Sequence, residues 1–184
     1  MIQMIFCAVL IGLLQQSPTL ESQQARKARK GPVFKEYGPV FKVAERTVPL
    51  KKNFKYRVIF DISQAASAKG KVNKRIESVA RFMNMHALNG VKVENMEIAV
   101  ILHGSATQDG LTHKAYNKRH KMDNANLDLI EKLHAKGVRF YQCGQSAYFN
   151  EVEKKELARQ VDLSLSAMTA LITLQAEGFQ LLPW

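Results

Sequence analysis

The sequence predicts an α/β protein, a three-layer α/β/α arrangement around an open, mainly parallel sheet of about five strands. Three observations predict it. YRVIFDI (56–62), MEIAVILH (96–103) and VRFYQC (138–143) are short apolar runs rich in β-branched and aromatic residues, the mark of buried strands. Segments of helical period lie between them. Strand alternating with helix requires crossover connections, which make neighbouring strands parallel and cover both faces of the sheet.

Each element has its own signature. Residues 73–88 place Ile76, Val79, Ala80, Met83 and Leu88 on one helical face, and Asn89-Gly90 stops the helix. The second strand, 96–103, is the most hydrophobic and is punctuated by Gly104. A polar stretch follows, 105–124, long enough to suggest a lid or site loop, with THKAYNKRH as a helical piece. Residues 125–137 form an amphipathic helix with Leu127, Ile130 and Leu133 inward and a glycine stop. After the third strand, GQSAYFNEVEKKELA opens a turn and a helix. VDLSLSAMTALITLQAEG (161–178) is expected as one long apolar helix, and FQLLPW (179–184) as the closing strand.

The first 55 residues differ in character. Ile5–Leu14 is an uninterrupted apolar run, too short for a bilayer span and suited to the core of a secretory signal. No Lys or Arg precedes it, and no clean small-x-small cleavage site follows. Residues 1–25 are thus expected to be a signal peptide, with export to the periplasm, and 56–184 the α/β domain. Residues 26–55 form a basic arm in which GPVFK occurs twice, at 31–35 and 38–42, as extended pieces or a local duplication. If the leader is retained, the arm could lie against anionic lipid; otherwise no membrane contact is expected.

Charge follows the same division. Of the formal +11 on 184 residues, 26–57 hold eleven Lys/Arg against Glu36 and Glu45, or +9, while Val58 onward carries only +3. A fold this close to neutral is not a sequence-independent nucleic-acid binder, and the arm reads as solvated charge. No GxGxxG or GxxxxGK[ST] follows a strand and no GxSxG is present, so dinucleotide, P-loop and hydrolase readings lose their usual support. His86, His113, His120 and His134 have no zinc spacing with a cysteine, and neither metal nor cofactor is expected.

Ligands of open α/β sheets bind at the carboxyl ends of the strands. Here the first strand ends at Asp61, the second at His103-Gly104 and the third at Cys143-Gly144-Gln145-Ser146. A thiol and an imidazole therefore share one sheet edge, and they meet if the second and third strands are neighbours. A helix starting after Gly144 would favour the thiolate of Cys143. The opposite reading is a buried cysteine that fills space. Asp61 can be a plain strand-end polar residue or part of the site.

YGPVFKV, YRVIFDIS, IAVILHG, DNANLDLIEKLHAKGVRFYQCGQSAYF and the closing VDLSLSAMTALITLQAEGFQLLPW, in this order from about Tyr37, resemble the DsrE-like (YchN-like) family. The resemblance implies the three-layer fold, trimers or hexamers, and sulfur carriage as a cysteine persulfide within a relay of donor and acceptor proteins. It places the family's cysteine on Cys143 and its strand-end histidine on His103. Gly104, Gly144, Gln145 and Ser146 would line the substrate site, with Tyr116 and Asn126 in the matching loop and helix start. The expected function is sulfur handling, with His103 favouring the thiolate or stabilising charge as sulfur moves. The alternative is a non-catalytic oligomeric module with a His103/Cys143 pocket for a small ligand or metal.

Overall fold

The computed structural model describes residues 27–182. The expected signal peptide and the last two residues lie outside them. Five strands form one sheet: β1 (Tyr56–Ile62), β2 (Met96–Leu102), β3 (Arg139–Cys143), β4 (Val161–Ser164) and β5 (Gln180–Leu182). Their order is β4-β3-β2-β1-β5 and every pairing is parallel. The helices are α1 (Lys74–Leu88), α2 (His113–His120), α3 (Leu127–His134), α4 (Gly144–Phe149) and α5 (Ala167–Ala176).

The two faces of the sheet are covered unequally. Val58, Phe60, Ile62, Ile98, Val100, Leu102 and Phe140 face a large core closed by α1, α2, α3 and Ala147 of α4. On the other face, among the described residues, Ile59, Ala99 and Ile101 meet α5, through Ala167, Ala170 and Leu174, together with Phe179. That thin layer leaves Leu165, Met168 and Ile172 each about 70% exposed. Among the described residues no helix is long and apolar enough to cross a membrane.

One element differs from expectation. Residues 161–178 are not a single helix: Val161–Ser164 is edge strand β4, a turn follows, and α5 begins at Ala167. The physical reason is visible in VDLSLS, which alternates apolar and polar residues with period two. Ser166 then caps α5, its hydroxyl accepting from Thr169 N at 3.0 Å. The helix expected after Cys143 is also shorter, ending at Phe149, with a single 3-10 turn at Lys154–Glu156.

The polar stretch after β2 is not an exposed lid. A 3-10 segment, Gly104–Gly110, buries Ala106, Thr107 and Asp109. Asp109 Oδ2 accepts from Asn73 Nδ2 (2.7 Å) and Ala66 N (3.2 Å), and its Oδ1 from Asn126 Nδ2 (3.0 Å). Asn124 donates to the carbonyls of Asp109 and Leu111. These side chains are 1–2% exposed. A polar sequence here is a hydrogen-bonded interior, as buried polar groups must be.

The arm is held rather than free. Arg29 and Val40 exchange two backbone hydrogen bonds, closing a loop over α1. Asn84, fully buried on α1, accepts from Val33 N and Phe34 N and donates to the carbonyls of Phe34, Tyr37 and Gly38. Phe34 and Val40 are buried beneath. The arm's Lys and Arg side chains are solvent-exposed, as its charge predicts, but its backbone is clamped.

Candidate functional site at the carboxyl edge of the sheet

Register brings three chemical groups to one place. Asp61 pairs with Ile101 and Ile101 with Tyr141, while Leu102 pairs with Gln142. Because side chains alternate across a strand, Asp61, His103 and Cys143 all fall on the α5 face at the carboxyl ends of β1, β2 and β3. The neighbouring strands that the thiol–imidazole pairing required are therefore present.

Two glycines shape the edge. Gly104 has φ +53°, and a Cβ there would stand 2.8 Å from the Ser63 carbonyl oxygen. A Cβ on Gly144 would stand 2.5 Å from Ser164 O and 2.9 Å from Leu165 O. The start of α4 is thus pressed against the end of β4, which only a residue without a side chain allows.

Cys143 is the N-cap of α4, and its Sγ accepts from Ser146 N at 3.5 Å. Burial pushes the thiol up. Hydrogen bonds from the Ser146 hydroxyl and from the backbone N–H groups of Ser146, Ala167 and Gln145 outweigh burial, and the thiol lies below its usual value. Ala167 is the first residue of α5, so two helix starts face one sulfur. Ser146 Oγ also accepts from Gly104 N at 3.0 Å, tying the end of β2 to the thiol. Cys143 itself is 5% exposed.

His103 faces Asp61, with Nε2 and Oδ1 3.0 Å apart. Both atoms are covered from solvent and have no partner other than this contact, which becomes an ion pair when the imidazole is protonated. The Asp61 contact raises the imidazole above its usual value, against the opposing effect of burial. The negative charges of Asp61 and Cys143 add to the rise. The imidazolium of His103 therefore persists to higher pH than that of an ordinary histidine, and it sits within the field of the thiol. The hydrogen bonds from Ser146 and the helix starts act on the thiol more strongly than His103 does.

The structure gathers most of the expected site residues and leaves two elsewhere. His103, Gly104, Cys143, Gly144, Gln145 and Ser146 share the edge, with Gln145 Nε2 donating to Leu165 O at 3.4 Å. Tyr116 is 4% exposed, inside the main core and against the His120 ring. Asn126 is 1% exposed and committed to Asn73, Asn124 and Asp109. Both are structural in this arrangement. Asp61 is the residue the sequence reading underweighted, and the cue was available: it ends a strand on the parity of Ile59. Among the described residues no group of three or more His, Cys, Asp or Glu side chains is placed to hold a metal ion.

The family model for DsrE/DsrF-like proteins matches residues 55–184. The chain belongs to the DsrE/DsrF-like family. The family is associated with sulfur relay. The arm, residues 27–54, lies outside the matched region. Among solved structures, a protein of unknown function, MTH1491 from Methanobacterium thermoautotrophicum, is 20% identical with a TM-score of 0.52, over 69% of this chain and 97% of its own. The YchN protein from E. coli is 16% identical with a TM-score of 0.47, over 68% of this chain and 99% of its own. At 20% identity, MTH1491 supports the DsrE-like fold and nothing finer. No curated protein matches the chain.

Proposed function

We propose that this DsrE-like protein handles sulfane sulfur as a persulfide on Cys143. The observation that carries the reading is the thiol's setting: Sγ accepts hydrogen bonds from Ser146 and from two helix starts, beside the His103–Asp61 pair. These donors favour the thiolate, the form that attacks sulfur. The Cys143 thiolate attacks the outer sulfur of a donor persulfide, a new S–S bond forms, and the donor leaves as its thiolate. An acceptor thiolate then attacks the outer sulfur of Cys143 and restores the Cys143 thiolate. Sulfane sulfur moves without net oxidation. Charge passes from the Cys143 sulfur to the donor in the first step and returns to Cys143, the leaving group, in the second, and His103, whose protonated form Asp61 favours, steadies the thiolate there.

The test is persulfide loading followed by transfer. Wild-type protein is treated with a small persulfide donor and intact mass is read before and after a thiol acceptor is added. One sulfur gained and then lost, absent in Cys143→Ser, is the expected result. No gain in wild type sinks the proposal and leaves a non-catalytic binding pocket as the better account.

The proposal extends to assembly and location. The exposed Leu165, Met168 and Ile172 on the thinly covered face suit burial against copies of the chain as a trimer or hexamer. A mass in solution equal to one chain would remove that part. Export is part of the same reading, and amino-terminal sequencing of the protein recovered from a periplasmic fraction tests it.

A further inference from the structure

The arm builds a second surface, at the opposite edge of the sheet from Cys143. It occupies the carboxyl end of α1 and the segments that lead into β1 and β2. Phe41, Val43, Val48, Pro49 and Leu50 of the arm and Met85 of α1 line a shallow apolar cavity of 220 Å³. Phe41, Val43 and Val48 are 57%, 59% and 77% exposed. Phe54 and Leu88, both about half exposed, extend the apolar surface.

These apolar residues are interleaved with cations. Lys42, Lys51 and Lys52 are exposed and, among the described residues, form no ion pair. Lys51 Nζ lies 5.8 Å over the Phe54 ring, and the Lys52 stem runs past Gly90. Arg46 is pinned at the cavity rim, donating to Asn89 Oδ1 at 2.8 Å. Glu45 is the one acid in the stretch 41–55. The segment is fixed against α1, because Asn84 clamps the preceding turn. An ordered patch of protruding apolar side chains among unpaired lysines complements one kind of surface, a bilayer interface with anionic headgroups. A protein groove of matching acidity would answer the charges, but apolar side chains as exposed as Phe41, Val43, Val48 and Phe54, spread among Lys42, Lys51 and Lys52, suit a broad interface better than a pocketed one.

We infer that the arm–α1 patch docks on anionic membrane lipid, seating Phe41, Val43, Val48 and Phe54 at the interface with Lys42, Lys51 and Lys52 against the headgroups. Docking by this edge leaves the Cys143 edge turned toward solvent. The surface lies within residues 41–90, so it does not depend on a retained leader.

The test uses the full chain and vesicles of phosphatidylcholine, with and without phosphatidylglycerol. Co-sedimentation should occur with the anionic vesicles and fall with salt. The double variant Lys51→Gln, Lys52→Gln should weaken it about thirtyfold, at roughly 1 kcal/mol per lysine. Phe41→Ser with Val48→Ser should weaken it at least about tenfold. These positions are exposed, so the fold is not at risk. A direct reporter separates the patch from any contribution of residues 5–14: Val48→Trp in a Trp184→Phe background, read by quenching with brominated lipid. Quenching of that tryptophan is the expected result. Vesicle binding without quenching overturns the inference, as does absence of binding to anionic vesicles. Binding that persists in the Phe41/Val48 variant means plain charge adsorption and also overturns it. A concentration-dependent dimer lost in that same variant would assign the patch to a second copy of the chain instead.

Discussion

Replacing Asn84 by alanine should release the arm and spare the domain. Asn84 makes five polar contacts to the arm backbone between Val33 and Gly38, all near 3 Å. The two Nδ2 hydrogens are shared among three carbonyls, so the contacts amount to about four hydrogen bonds, and at a net 0.5–1.5 kcal/mol each they hold the arm by about 2–6 kcal/mol. The other contribution is burial of Phe34 and Val40, roughly 1.5–3 kcal/mol each. The two contributions are of similar size, so Asn84→Ala removes about half of what keeps the arm closed. A loss of about 3 kcal/mol raises the open population on the order of a hundredfold. Trypsin reads that population when opening is fast relative to cleavage. Cleavage after Lys35 and Lys42 should therefore accelerate by about that factor. The Cys143 thiol, at the far edge, should alkylate as in wild type. Asn84→Asp would aim a buried carboxylate oxygen at three carbonyl oxygens and should open the arm at least as far as alanine does. Equal cleavage rates in Asn84→Ala and wild type would refute the clamp, and with it the ordered surface inferred above.

Three further outcomes test the site and its support. Ser146→Ala should move the midpoint of Cys143 alkylation against pH upward, and by more than His103→Ala does, because hydrogen bonds from Ser146 exceed the effect of the His103 charge; the reverse order would mean that the imidazole is the main activator. Gly144→Ala must fit a Cβ against Ser164 O and Leu165 O, so urea denaturation should show a loss of about 1–3 kcal/mol, together with faster alkylation of Cys143 as the start of α4 shifts; an unchanged midpoint would deny the close approach. Asp109, with 1% of its surface exposed, has its carboxyl pushed up to about 6 by burial, against hydrogen bonds from Asn73, Ala66 and Asn126. Its folded value lies above its unfolded one, so its contribution is fully present below about pH 4 and declines as pH rises to about 6, by roughly 3 kcal/mol. Asp109→Asn should flatten that window in a stability–pH profile, and a profile with the same slope in variant and wild type would place the titration elsewhere.

Local signals carried most of the fold. The three apolar runs became β1, β2 and β3, the apolar face of 73–88 became α1, and the alternation of strand with helix required the parallel sheet that is observed. They also placed Cys143 and His103 at strand ends, because composition and punctuation by Gly104 and Gly144 are properties of the chain itself. Other features depended on what lies across from a residue in space. The segment 161–178 runs on as one amphipathic-looking stretch, and its alternating VDLS becomes a strand because the free edge of β3 is there to pair with it. Asn126 and Tyr116 carry groups that could serve a site or a core, and burial beside Asp109 and His120 decides for the core. The GPVFK repeat does not announce that Asn84 will clamp it, since the bonding partners lie about fifty positions apart. Asp61 looked like any strand-end carboxylate until parallel register set it against His103. Sequence therefore determined β1, β2, β3, α1 and the place of the thiol at a strand end; tertiary structure decided β4 and the company that thiol keeps, because edge pairing, hydrogen bonds and ion pairs depend on contacts between residues distant in the chain.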